Sequence, residues 1–263
     1  HCDYVELMPD TCPECGSKYL MKTGFGSERV EEEIHRLFPE ARTLRLDSDS
    51  AKIRTRIAKT VEAFRNHEAD ILIGTQMIAK GHDFPLVTLS SVVLADIGLT
   101  LPTYRASERT FQLIAQAVGR SGRSMKEGEA LIQTYNPAHY AVQFGASQDY
   151  KSFYLKEMQQ RKITQYPPYY FLILLEFSSS KEEKAVQSAL DFKKEIEGLG
   201  IESFHTLGPI TPYYSMFNGK YKRCLLLKFK KREEINNYLH EMLEKYAKMG
   251  GVDITVNVDP LDY

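Results

Sequence analysis

Apolar and polar positions along this chain fall into two rhythms. Ile71 to Ile73 forms a short apolar strand that runs into small, polar and charged residues. Thr88 to Ala95 is a second strand, β-rich and apolar on both faces, the pattern of a parallel sheet covered by helices. Lys18 to Lys22 and Thr43 to Leu46 read as further strands. Between them Ile53, Ile57, Val61 and Phe64 recur at helical spacing and predict a core-facing helix, with Arg54, Arg56, Lys59 and Arg65 off that stripe. Ser27 reads as the N-cap of a helix ending at Leu37, with Glu28 and Glu31 to Glu33 near its positive end. A helix from about Ala106 ends in two arginines three apart. This alternation predicts roughly five parallel strands with helices on both faces.

The second rhythm begins after Tyr135-Asn136-Pro137. His139 to about Arg161 reads as one helix, and Tyr166-Pro167-Pro168-Tyr169 breaks the chain. Beyond it the pattern predicts a strand (Phe171 to Phe177), a helix (Lys181 to Leu199), two strands (about Ser203 to Pro209 and Tyr221 to Phe229), a helix (Arg232 to Met249) and a strand (Asp253 to Val258). That βαββαβ order is the split-βαβ arrangement. The expected organisation is a cysteine-rich segment at 1–20, an α/β lobe at 21–145, a helical linker at 146–165 and a small α+β domain at 166–263.

Composition narrows this only a little. The 263 residues suffice for two ordinary domains, and 43% hydrophobic content is that of a globular protein. No apolar run of about 18 residues occurs, and the start lacks the pattern of a signal peptide, so a cytoplasmic protein is expected. A net charge of −1 leaves any basic surface to be local. One such stretch exists. Lys220, Lys222, Arg223, Lys228, Lys230, Lys231 and Arg232 follow one another with no acid among them, beside Tyr213, Tyr214, Phe217 and Tyr221. Basic residues interleaved with aromatics suit phosphate contact and base stacking, although lysines on an edge strand also prevent aggregation.

Of four cysteines, Cys12 and Cys15 stand in Cys-Pro-x-Cys-Gly. Two thiolates on one turn supply half a tetrahedral zinc site. With Cys2, and with His1 as a candidate fourth ligand, a Cys3His site is conceivable; reduced thiols on a loose end are the alternative. Arg120 and Arg123 offer two planar forks to one polyanion. No Gly-Lys-Ser/Thr phosphate loop occurs anywhere in the chain.

The spacing Gln116-x-x-Gly119-Arg120-x-Gly122-Arg123 resembles motif VI of superfamily 2 helicases, and Gly74 to Pro85 resembles their motif V. The strings Gly-Thr-Gln-Met-Ile-Ala-Lys-Gly-His-Asp-Phe-Pro and Leu-Pro-x-Tyr-Arg-Ala-Ser-Glu-Arg, with Gly-x-Gly-x-Glu-Arg-x-Glu-Glu earlier, resemble the PriA family of primosomal replication-restart helicases. Phe25 departs from the smaller polar residue usual there. The resemblance implies the second RecA-like lobe of an ATP-dependent 3′–5′ DNA helicase, a chain that lacks the phosphate loop and is itself inactive. It implies ATP with Mg2+ bound by the intact protein, contacted by Gly81, Asp83, Gln116, Arg120 and Arg123. Arg123 would be the principal finger on the γ-phosphate, Arg120 its neighbour, and Asp83 an acceptor from the ribose. Thr75, Gln76 and Lys80 would meet DNA phosphates, joined by Lys220, Lys222 and Arg223 from the basic stretch. Two interleaved zincs are implied for the intact protein, Cys2 in one and Cys12 with Cys15 in the other, both incomplete here. DNA, single-strand-binding protein and other primosome proteins are the implied partners, at the bacterial nucleoid, with no membrane. A free-standing DNA- or protein-binding module that kept the lobe fold and lost catalysis is the competing reading.

Overall fold

Strand β1 (Thr43–Leu46) and strand β2 (Ile71–Gly74) pair in parallel, Thr43 opposite Ile71 and Leu46 opposite Gly74. Their register is pinned just before both strands begin. The Arg42 guanidinium donates to the Asp70 carboxylate at 2.8 and 3.0 Å, and the Arg42 N–H adds a third bond at 2.9 Å. These bonds from Arg42 hold the Asp70 carboxyl at about 2. A computed structural model describes residues 10, 11, 13, 15–18, 26–46, 54–75, 78, 84–121, 128–212 and 215–262; the side chains of 54–56, 120, 121 and 234 lie outside that description. The described residues divide into two units, 10–100 with 107–153, and 101–106 with 154–262.

In the first unit helix α1 (Ser27–Leu37) lies against β1 through charge. Arg45 pairs with Glu28 and Glu31 at 3.2 and 3.3 Å, and the Thr43 hydroxyl donates to Glu31 at 2.9 Å. Ser27 is not the cap: it is the first residue of the helix, and Gly26 occupies the cap position. Helix α2 (Arg54–Arg65) buries Val61 and sets Phe64 edge-on to Phe84, ring centroids 5.2 Å apart. Strand β3 (Leu89–Val92) pairs in parallel with β4 (Glu129–Ile132), making a second two-stranded sheet. Among the described residues the parallel strands therefore number four in two separate pairs, where the pattern predicted about five in one sheet. The expected strand over Lys18 to Lys22 falls largely outside the described residues. β3 is also shorter than the apolar run, because Leu94 turns to positive φ and Ala95 leads into the short helix α3 (Asp96–Leu99).

Helix α4 (Ala106–Ser121) packs Ile114 with Val92, Ala95 and Val142 in the core of this unit. The helix predicted over His139 to Arg161 is two: α5 (Tyr140–Ala146) and α6 (Tyr150–Ile163). Apolar spacing continues through the break, so periodicity does not reveal it. Gln148 adopts φ of 55°, and the Asp149 carboxylate accepts from Ser152 N–H at 3.0 Å to begin the next helix.

The carboxyl-terminal elements follow the predicted order. They are β5 (Phe171–Ser179), α7 (Glu182–Glu197), β6 (Phe204–Ile210), a two-residue strand β7 (Met216–Phe217), β8 (Lys220–Phe229), α8 (Arg232–Met249) and β9 (Asp253–Val258). The sheet order is β6-β8-β5-β9, every neighbour antiparallel. Ile173, Leu175, Phe177, Leu225, Leu227 and Phe229 meet Phe192, Ile196, Ile235 and Leu239 of the two helices.

Lys228 stands on the other face of β8 yet is only 5% exposed. Its ammonium donates to the Thr164 carbonyl at 2.9 Å and lies 3.5 Å from the Tyr166 ring centroid. Burial lowers its pKa from the ordinary lysine value to about 8. Below about pH 8 the folded and unfolded chains are both protonated there, and the buried charge carries its full desolvation cost. Between about 8 and 10.5 only the unfolded chain keeps the proton, so stability rises with pH across that window. The difference in unfolding free energy between wild type and Lys228→Met should therefore shift toward wild type by up to roughly 3 kcal/mol from pH 7.5 to 10.5, read by urea titration. A second expectation concerns Gly74. A Cβ built there would meet the Leu46 carbonyl oxygen at 2.1 Å. Gly74→Ala should destabilise by about 1–3 kcal/mol in thermal melts by wedging β1 from β2 at their carboxyl ends.

Candidate functional site

Parallel strands present ligands at their carboxyl ends, and the first predicted residue found there is Thr75. It follows β2 directly and is exposed. Gln76, Lys80, Gly81 and Asp83 lie outside the described residues. Gln116 sits exposed in the last turns of α4, and Gly119 lies on the same helix. The Arg120 side chain and all of Arg123 lie outside the described residues, so the arginine pair is placed only by the helix that leads into it.

That end of α4 is supported by a residue that motif spacing does not reveal. Gln148, in the strained turn between α5 and α6, donates its side-chain amide to the Ala115 carbonyl at 3.0 Å. A Cβ on Gly119 would stand 3.1 Å from the same amide nitrogen, so glycine lets Gln148 lie against the helix. On the other side, the Ser90 hydroxyl of β3 donates to the Ala117 carbonyl at 2.8 Å. Two side chains thus brace the last turns of α4 through the Ala115 and Ala117 carbonyls. Asp96, past the end of β3, is a second unforeseen residue. Burial raises its pKa, but bonds from Tyr135 N–H and the Thr134 hydroxyl outweigh this and keep it below the usual carboxylate range. Its role is to tie the carboxyl ends of β3 and β4 together.

In the carboxyl-terminal domain strand alternation sorts the basic residues. Lys222 pairs with Glu176 on the face away from the helices, at 2.8 Å. Arg223 turns to the opposite face and pairs with Glu182 at the start of α7. Lys220 pairs with Asp253, and Arg232 with Asp259. The stretch contains no acid of its own, yet the neighbouring strands and helices supply one to each of these residues. Beside them stands a hairpin tip that Asn218-Gly219 announces. Both central residues take positive φ, 50° and 73°. The turn holds Met216 and Phe217 out at 57% and 59% exposure, and the Lys222 ammonium lies 5.3 Å from the Phe217 ring centroid. Tyr213 and Tyr214 lie outside the described residues; Tyr221 is half-buried in β8.

The described cysteines are Cys15, exposed, and Cys224, buried in β8, where burial pushes its thiol up to about 12. Cys2, Cys12 and His1 lie outside the described residues. Among the described residues no group of three or more His, Cys, Asp or Glu is arranged to hold a metal, and no helix is long and apolar enough to cross a membrane.

Comparison with known proteins covers both units. Residues 162–261 match the family described as the Primosomal protein N C-terminal domain. Over 263 residues the chain is 38% identical to the Replication restart protein PriA of Bacillus subtilis, covering 99% of this chain and 33% of that protein. It is 35% identical to the protein of that name from Treponema pallidum over all of this chain and 40% of the relative. A match to the Chlamydia trachomatis protein reaches 48% identity over 62% of this chain and 22% of the relative. The chain thus spans about a third of the length of the curated relatives it matches. On these matches, which run through both units, the chain belongs to the PriA family of replication restart proteins.

Proposed function

We propose that this chain is the carboxyl-terminal part of an ATP-dependent 3′–5′ DNA helicase that restarts stalled replication forks and loads the primosome. Membership of the replication restart family, with the Gln116-to-Arg123 string ending α4, carries this reading. In it the first unit is the second RecA-like lobe of the motor. Arg123, with Arg120 beside it, reaches the γ-phosphate of an ATP–Mg2+ held by a lobe outside this chain, and offsets charge that develops during phosphoryl transfer. Gln116 orients that end of the helix, while Gly81 and Asp83 border the nucleotide. A phosphate loop being absent from this sequence, the isolated chain is inactive.

DNA passes the carboxyl end of β2, where Thr75, Gln76 and Lys80 offer phosphate contacts without sequence information. Lys220, Lys222 and Arg223 add contacts in which a phosphate replaces the carboxylate of Asp253, Glu176 or Glu182. For the well-exposed Lys220–Asp253 pair that exchange is cheap, because solvent-exposed ion pairs contribute at most about 1 kcal/mol. Cys2, Cys12 and Cys15 are ligands of two structural zincs completed by residues outside this chain. Single-strand-binding protein and the other primosome proteins are the partners, in the cytoplasm at the nucleoid.

The full-length protein tests this directly. Arg123→Ala should lower DNA-stimulated ATP hydrolysis by roughly 10³-fold or more while leaving DNA affinity unchanged; retained turnover would remove the arginine from the mechanism. Lys220→Ala should weaken binding to DNA of any sequence and reduce the slope of log affinity against log salt by about 1.

A further inference from the structure

The tip of the β7–β8 hairpin places one aromatic ring and two ammonium groups on a single face. Phe217 stands directly opposite Lys220 in the register, and residues opposite each other in an antiparallel pair share a face. Lys222 lies two residues further along β8 and so points the same way. Its ammonium, 5.3 Å from the Phe217 ring centroid, agrees with that placement. The neighbouring pair, Met216 and Tyr221, takes the opposite face. Of the two described aromatics beside the basic stretch, Tyr221 is half-buried and Phe217 is 59% exposed.

A single exposed apolar side chain is ordinary on a protein surface; the setting of this one is not. Positive φ at Asn218 and Gly219 makes a tight two-residue turn, and the Lys222 N–H closes its base by donating to the Ser215 carbonyl at 2.9 Å. The ring is therefore presented on a fixed backbone, and little ordering remains for binding to impose. The two lysines beside it differ. Lys222 is mostly covered, stays with Glu176 at 2.8 Å and supports the ring from its own side. Lys220 is half exposed and holds Asp253 through a solvent-exposed pair that a phosphate can replace. An open ring beside an exchangeable ammonium matches the two halves of a nucleotide, a base to stack and a phosphate to neutralise. A base inside a duplex has both faces covered by its neighbours. Only an unpaired base offers a face to the ring.

We propose that Phe217 is a stacking platform for an unpaired base of single-stranded DNA, with Lys220 taking an adjoining phosphate. This rests on the DNA contact proposed above for the basic end of β8, and adds which form of DNA that end prefers. Stacking tolerates any base, so the preference is for single strand over duplex and not for a sequence.

The test uses the full-length protein, an oligothymidine single strand and a blunt duplex of the same length, with affinities measured across a salt series. Phe217→Ala should weaken single-strand binding by about tenfold and leave duplex binding within about twofold. The slope of log affinity against log salt should not change, because no phosphate contact is removed. Phe217→Trp should retain single-strand affinity, whereas Phe217→Leu, which keeps apolar surface without a ring, should behave as the alanine variant does. A strand carrying iodouracil should photocrosslink to Phe217 itself in the wild-type protein, a readout that needs no variant. Equal loss on single strand and duplex, full affinity in Phe217→Leu, or crosslinks that all map elsewhere each overturn the stacking role. Lys220→Ala separates the two claims. Unchanged affinity and salt slope in that variant remove the DNA contact at β8 on which the proposal rests. A shallower slope there, with Phe217→Ala binding normally, removes the stacking alone.

Discussion

Backbone pairing on both sides of β8 is the constraint on which the carboxyl-terminal domain depends. One edge is bonded to β5 from Phe171↔Phe229 to Ser179↔Tyr221, the other to β6. A strand held this way cannot slip, because a shift of one residue would carry Leu225, Leu227 and Phe229 out of the core and bring their neighbours in. The bulge between Leu207 and Ile210 is absorbed by Gly208, whose φ of 109° and close approach to the Cys224 carbonyl leave no room for a side chain. Cys224 itself stays a protonated thiol inside the strand, inert by burial. With register fixed, each basic residue of β8 has one assigned face, and its neighbours follow from that assignment.

Those assignments show where the sequence is readable and where it is not. The apolar run from Cys224 to Phe229 and the helical spacing of Ala185, Ala189, Phe192 and Ile196 announce a strand and the helix that covers it. Alternation then says which face Lys228 takes. It does not say that Thr164 and Tyr166 cover that face, since the cover comes from a distant part of the chain. The acids that neutralise Lys220, Lys222 and Arg223 are equally remote in sequence, so part of a stretch that reads as uncompensated positive charge is paired once folded. Asn218-Gly219 carries a strong local hairpin signal, and the βαββαβ pattern passes over it because β7 is only two residues long.

The first unit is harder to read for the opposite reason. Its strands are four residues each, and a short apolar run gives no sign of which other run it will pair with. Joining β2 to β3 in one sheet is a natural expectation from their order, but their pairing partners are β1 and β4. The helix that carries Gln116 was plain from spacing alone; what steadies its far end was not. Gln148 is a polar residue in a turn that apolar periodicity runs straight through, and its bond to Ala115 is visible only once α5 and α6 are seen as separate helices. Arg120, Arg123, Gly81 and Asp83 rest on motif spacing, which identifies residue types but gives no distance.

Two kinds of lysine on one strand divide the work. The ammonium of Lys220 is about half exposed and sits beside a carboxylate that is more exposed still, so its attachment is weak, screened by salt and open to exchange. Lys228 is enclosed, and no counter-ion among the described residues replaces water around it; it has a carbonyl and an aromatic face instead. An ion that exchanges partners freely can bind a passing polyanion without disturbing the fold. One that cannot leave its site fixes the segment that covers it. The first kind stands where the strand meets solvent and the second where it meets Tyr166, so one strand carries an exchangeable ion pair at one end and an enclosed ammonium at the other.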